Sequence, residues 1–233
     1  MSNKGYIDIH NHLFPPIDDG PEEIEETLLS LNKFVEYGFE KIVFTPHMNP
    51  SFQEERKNSI HLSVDRFQSE IEKIPIDFHI SCEYLLEPGI FKIIEKGEIM
   101  TVSPHSRFFL LEMWVPFVDE ALKIFMEKCL SKNYFPVIAH PERNQPLERI
   151  KKMKELGYKI QVNIGSIFGL YGNEVRRNAI ALLENELADC IGTDAHDYGF
   201  SKELNIYMEK LLGEIGEKEF RRLLIEGPKE ILG

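Results

Sequence analysis

A chain of 233 residues with 42% hydrophobic side chains has material for one large α/β barrel or two small domains. No apolar run approaches the ~18 residues of a membrane span, so no membrane insertion is expected. A formal net charge of -12 excludes a broad electrostatic grip on nucleic acid, which needs clustered Lys and Arg to displace counterions.

The opening MSNKGYIDIH lacks a charged segment followed by an apolar one, so nothing marks the chain for secretion and a cytoplasmic location is expected. Short β-branched or aromatic runs then alternate with longer segments of helical period, the pattern of a parallel sheet with crossover helices. The first strand is GYIDIHNH (5–12), which closes on His10 and His12, and the helix after it (22–38) stops at Gly38. KIVFTPH (41–47) ends on His47 and leads to a long helix over 54–74. DFHISCEY (77–84) carries Glu83 at its end, with a short helix over 91–97. RFFLLEM (107–113) brings Glu112, then a helix over 118–133; FPVIAHP (135–141) brings His140, then a helix over 147–157. KIQVNIGS (159–166) is the sixth strand and precedes a helix over 172–186. ADCIGTDAH (188–196) is the seventh, with Asp194 and His196 at its end and two more helices after Phe200. No linker, low-complexity tract or fixed repeat interrupts this order, so a single barrel-like domain over 1–233 is expected.

The ionisable residues all fall at the C-terminal ends of strands, and in a closed parallel barrel those ends converge on one face. His10 and His12 share a strand face by the period of two. Each residue taken singly reads as readily as a rim or core group. Jointly they do not, because buried carboxylates and imidazoles must be paired with each other or with cations. Nitrogen and oxygen donors without thiolate suit Mn, Fe, Zn or Co rather than a structural cysteine-zinc site, and leave the choice among them open. The donors are too many for one ion with an open position, so two or three ions are expected. Adjacent ions ~3.5 to 4 Å apart can activate a water and clamp the oxygens of a phosphoryl group, which points to phosphoester hydrolysis. Asp8, on the face of His10 and His12, could orient an imidazole, and Asp18 reads equally as an inert turn carboxylate. His61, His79 and His105 are given no role in the site.

The motifs DIHNH, DDGP, TPH, CEYL, LLEM, AHPER and GTDAH, in this order, resemble the polymerase and histidinol phosphatase (PHP) superfamily over nearly the whole chain. HNHLFPPIDDGP so near the start, FPVIAHPERN and QVNIGSIFGLYG look most like its bacterial CpsB/YwqE-type protein-tyrosine phosphatases of capsule and exopolysaccharide loci. The resemblance implies a distorted (β/α)7 TIM-like barrel with three metals. One ion would see His10, His12, Glu83 and Asp194, a second Glu83, Glu112 and His140, and a third Asp19, His47 and His196. It also implies that Arg143 holds the substrate phosphate, with Asp194 and His196 beside it in the catalytic set.

Two departures stand out: Phe14 and two prolines follow His12, which could alter the rim, and Gly227 stands where an Asn often precedes the proline. The second should affect stability more than chemistry. A cysteine phosphatase would need Arg six positions after its Cys; Pro88, Phe135 and His196 stand there after Cys82, Cys129 and Cys190, so these thiols are expected to be reduced core residues. An amidohydrolase would usually want a lysine carbamate on the fourth strand, where Glu112 sits. Histidinol phosphate is the rival substrate, and a non-catalytic binding barrel the rival of another class; the full donor set and Arg143 weigh against the latter. Phosphotyrosine in a protein segment, such as a bacterial tyrosine kinase tail, is preferred because the connections after the ligand-bearing strands are short. Phe14, Met48 and Trp114 could offer its ring apolar contact. A homo-oligomer is left open.

Overall fold

The computed structural model describes residues 4–114 and 118–233. The alternation expected from the sequence is present. It runs β1 (Tyr6–Asn11), α1 (Ile24–Tyr37), β2 (Phe39–Phe44), β3 (His47–Met48), α2 (Gln53–Ile71), β4 (Asp77–Ile80), β5 (Glu83–Leu85) and α3 (Ile90–Lys96). Then follow β6 (Phe108–Glu112), α4 (Asp119–Ser131), β7 (Phe135–Ala139), α5 (Leu147–Glu155), β8 (Lys159–Asn163), α6 (Ile164–Ile167), α7 (Asn173–Glu184), β9 (Cys190–Gly192), α8 (Tyr198–Arg221) and α9 (Gly227–Leu232). All strand pairs are parallel, in the orders β1-β2-β4 and β3-β5-β6-β7-β8-β9. The last strand returns to the first: Asp194 N donates to the His10 carbonyl at 2.7 Å and His12 N to the Ala195 carbonyl at 2.8 Å. The result is a distorted α/β barrel with seven strand positions.

Two of those positions are split, which corrects the reading of continuous second and third strands. Phe44 pairs with Ile80 and His47 with Glu83, so the gaps at Thr45–Pro46 and Ser81–Cys82 face one another. Pro46 has no N–H to give a ladder, and pairing resumes with Glu83 N donating to its carbonyl at 3.1 Å. Glu83 therefore opens β5 rather than ending a strand. The sixth strand also stops early, at Asn163, whose side chain accepts from Gly165 N at 2.7 Å and caps α6. After Phe200 the expected pair of helices is met by α8, kinked at Gly216 (φ 75°), and α9.

Helix α1 shows why the helices pack outward: Ile24, Thr27, Leu31 and Phe34 recur on one buried face, and Gly38, at φ 101°, ends the helix in the left-handed region. A smaller cluster of Ile7, Ile9, Val43, Leu110, Val137 and Cys190 draws on five strands and is closed by Ile231 and Leu232 of α9. That helix is pinned by Gly227, where a Cβ would lie 2.0 Å from the Asp189 carbonyl oxygen. This close approach makes the departure at Gly227 structural. Among the described residues no helix is long and apolar enough to cross a membrane.

Candidate metal centre at the barrel mouth

A register shift in β1 between Asp8 and Asn11 sets the start of the site. His10 lies within it and His12 just beyond, and both turn into the mouth. His10 Nδ1 pairs with Gln161 Oε1 at 2.8 Å, which leaves Nε2 facing Glu83 Oε2 and Asp194 Oδ1, both at 3.4 Å. His12 Nδ1 pairs with Asp18 Oδ2 at 2.8 Å, and its Nε2 lies 3.4 Å from Glu83 and 3.3 Å from Asp194. Asp18 also accepts from His47 N at 2.8 Å. The loop that carries Asp18 and Asp19 can close this tightly because of Gly20: a Cβ there would sit 1.8 Å from the His12 carbonyl oxygen.

The remaining donors arrive from the other strands. His47 places Nδ1 3.0 Å from Glu83 Oε2 and Nε2 3.6 Å from Asp19 Oδ1. His196 Nδ1 donates to the Asp194 carbonyl at 2.8 Å, and its Nε2 is 3.4 Å from Asp19 Oδ1. His140 Nε2 lies 3.0 Å from Glu83 Oε1 and 3.9 Å from Glu112 Oε1. His140 and Asp194, each just past a strand end, hold φ at 30° and 51°. Such backbone strain costs roughly 1 to 3 kcal/mol per non-glycine residue and clusters where a side chain must be aimed. All nine expected metal ligands thus share one mouth. Donor atoms within 4.8 Å of one another form four groups: His12, Asp19, His47 and His196; His10, His12 and Glu83; His10, His140 and Asp194; His47, Glu83 and Glu112. These groups cut across the three-ion partition implied by resemblance, since His12 joins the Asp19 group and His140 stands with Asp194.

The electrostatics follow from crowding. Burial alone would raise Glu83, but His10 and the rings around it hold its carboxyl well below the ordinary range. Asp194 behaves alike, with His10 again the leading opponent of burial. Burial opposes charge on His10, yet Glu83 and Asp194 lift it to about 9. Both Glu83 oxygens are nevertheless buried without a hydrogen-bond partner, as is His140 Nδ1. A buried carboxylate ringed by imidazole nitrogens, none of them in hydrogen-bonding geometry to it, fits cation coordination.

Arg143, from the turn after β7, donates through Nη2 to Asp194 Oδ2, an oxygen that also accepts from Asn163 Nδ2 at 2.8 Å. Its Nε is buried without a partner.

Several expectations need correction. Asp8 touches no imidazole ring, because the register shift moves it off that face; it accepts from Thr193 N at 2.9 Å, Thr193 Oγ1 at 2.7 Å and Asn11 Nδ2 at 3.0 Å, sealing the β1–β9 seam. Asp18 is no inert turn residue, since it orients His12. Gln161 is a site residue that the sequence pattern misses; a buried Gln between Ile160 and Val162 is its only local signal. Phe14 and Met48 are 1% and 0% exposed and belong to the core, so neither forms the rim nor can meet a substrate ring, whereas Trp114 is 65% exposed. His61 and His105 lie on the surface, and His79 pairs with the Thr101 carbonyl at 3.1 Å. The three cysteines are free and buried; burial raises all three thiols, Cys129 to about 12.

Known proteins match this frame. CapC of Staphylococcus aureus is 30% identical over 199 residues, covering 82% of this chain and 76% of its own. The tyrosine-protein phosphatase YwqE of Bacillus subtilis is 26% identical, covering 92% and 85%. The tyrosine-protein phosphatase CpsB of Streptococcus pneumoniae is also 26% identical, covering 97% and 98%. Crystal structures of YwqE and CpsB, described as unique metal-dependent tyrosine phosphatases, superpose with a TM-score of 0.80 at 24% identity over 97% of this chain and 94% of theirs. A phosphotriesterase homology protein of Escherichia coli, solved with phosphate in its active site, shares the barrel with a TM-score of 0.65 at 11% identity over the whole of both chains. Since the model of the capsular polysaccharide synthesis family CpsB/CapC matches residues 6–233, this chain belongs to that family.

Proposed function

We propose that this chain is a metal-dependent phosphatase that hydrolyses phosphotyrosine in a flexible protein segment, such as the tail of a bacterial tyrosine kinase of capsule or exopolysaccharide synthesis. The observation that carries the reading is the convergence of five imidazoles and four carboxylates, Glu83 and Asp194 among them, on one mouth, with the Arg143 guanidinium at its edge. The relatives named as tyrosine-protein phosphatases support it.

His10, His12, Asp19, His47, Glu83, Glu112, His140, Asp194 and His196 would hold two or three divalent ions, Mn before Fe, Zn or Co. Such ions would polarise a water and neutralise charge on the phosphoryl oxygens. The chain's own groups supply the rest. Gln161 and Asp18 occupy Nδ1 of His10 and His12, so each ring keeps its Nε2 lone pair turned inward. Arg143 offers a planar donor to the phosphoryl oxygens, where charge builds. Burial, then His12, holds His196 below the ordinary histidine range, so it carries little proton at neutral pH. A phenolate leaving group, whose conjugate acid has a pKa of about 10, makes a small demand for one. The rim is open, with the side chains of Asp19, His47 and His196 63%, 39% and 30% exposed, which suits a chain segment over an enclosed metabolite.

The reading is tested by kcat/KM for a phosphotyrosyl peptide, the matching phosphoseryl peptide and histidinol phosphate, with Mn and after chelation. Phosphotyrosine should lead and chelation should abolish turnover. A tenfold preference for histidinol phosphate, or full activity in strong chelator, would overturn it.

A further inference from the structure

The stretch QVNIGSIFGLYG (161–172) holds more polar and glycine positions than a strand and a helical turn require. Gln161 and Asn163 are explained by His10 and Asp194. Tyr171 is not. Its ring lies against the Arg143 guanidinium, with Cζ 3.8 Å from the ring centroid. The loop that delivers it is built from short backbone bonds, Gly169 N to the Ser166 carbonyl at 3.1 Å and Leu170 N to the Gly165 carbonyl at 3.0 Å. Gly169 and Gly172, at φ 81° and 96°, bracket Leu170 and Tyr171 in turns that side chains resist. Gly165 leaves the ring its seat: a Cβ there would come within 3.2 Å of Tyr171 Cε2.

We propose that Tyr171 is a positioning residue for Arg143, the platform that fixes the plane of the guanidinium at the barrel mouth. The inference rests on the phosphatase reading of this site. Arg143 ends a long, rotamer-rich side chain whose guanidinium is anchored by a single carboxylate oxygen, which fixes one edge but not the plane. Bidentate recognition of phosphate depends on that plane. A π face under the guanidinium supplies the missing restraint and keeps its charge. With Nη2 committed to Asp194 and Nε buried, the other terminal nitrogen is the donor so presented.

The test uses the metal-loaded protein. Tyr171→Leu and Tyr171→Phe are each made in the native and the Arg143→Ala background. kcat/KM is measured for p-nitrophenyl phosphate and a phosphotyrosyl peptide, and the affinity for inorganic phosphate by titration calorimetry. Tyr171→Leu should lower kcat/KM and phosphate affinity by about 5- to 20-fold. Tyr171→Phe, which keeps the ring face, should recover most of that loss. In the Arg143→Ala background the Leu substitution should have no further effect, because the two residues act as one unit. A Leu effect that persists undiminished without Arg143 would overturn the proposal, as would a Phe variant as impaired as Leu. If Tyr171→Leu does not fold, Tyr171→Gln takes its place in the same cycle. Wild-type protein that binds phosphate through Arg143 but turns over neither ester would sink the phosphatase reading alone; Tyr171 would then stand or fall on phosphate affinity across the same variants.

Discussion

Arg143 and the imidazoles touch the same carboxylate from opposite sides, and their substitutions should separate binding of metal from chemistry. Arg143→Ala leaves Asp194 with its Asn163 bond, so metal content should stay nearly native while kcat/KM falls roughly 10² to 10³-fold, as for loss of one charge-stabilising donor. His10→Ala or Asp194→Ala removes a donor from the cluster, and both metal and activity should go. Elemental analysis beside kinetics decides it, and an Arg143→Ala enzyme with native kinetics would remove that residue from the site. Gln161 makes the subtler case. Its Oε1 holds His10 Nδ1 and also takes the His140 N–H at 3.3 Å. Gln161→Leu should therefore weaken metal affinity roughly 10- to 100-fold, with the ligands themselves untouched. Unaltered affinity by competition against a graded chelator would show that His10 needs no outer partner.

The loop from Phe14 to Gly20 shows what a pattern of residues leaves out. The order of strands and helices, and the gathering of the ionisable residues at one mouth of the barrel, were legible because apolar periodicity and turn punctuation are local. The direction of a side chain after a strand ends is not local. Phe14 follows His12 yet packs edge-on against Phe44, with ring centroids 5.0 Å apart, while Asp18, four residues on, reaches back to His12. The split at Pro46 and the early stop at Asn163 hid inside runs that read as continuous strands, since each depends on pairing across the sheet or on a cap. The β1 register shift hid similarly and misassigned Asp8. Gly20 is the position where this loop is most exposed to test. Gly20→Ala cannot keep its place beneath the His12 carbonyl, so Asp18 and Asp19 must move. Metal held by the group of His12, Asp19, His47 and His196 should be lost, with far-UV circular dichroism and the packed core retained. A fully loaded Gly20→Ala protein would mean that the loop can shift without carrying its carboxylates away.

Protons and metal ions compete for one cluster, and the competition sets how the whole protein responds to pH. His10 is lifted from an ordinary value of 6.5 to about 9 in the metal-free fold, against burial and by Glu83 and Asp194. A raised histidine pKa contributes stability that is fully present below pH 6.5 and is lost as pH climbs through 9, on the order of 3 kcal/mol for a shift of this size. Asp8, raised by burial to about 6, acts with the same sign in a lower window, from its ordinary value near 4 up to 6, and so does not confuse the result. Metal binding needs the imidazoles neutral, which reverses the preference. Chelated protein should therefore melt on the order of 5 to 10 °C lower at pH 9 than at pH 6.5. Over the same range the stabilisation given by added Mn should grow, with protons released on binding, while activity decays in mild acid. Thermal melts with and without chelator across that range measure both trends. Chelated and loaded proteins that lose stability in parallel would show that the imidazolium pairs of the empty cluster do not hold the mouth together, and that the charge balance around Glu83 is set by something other than His10.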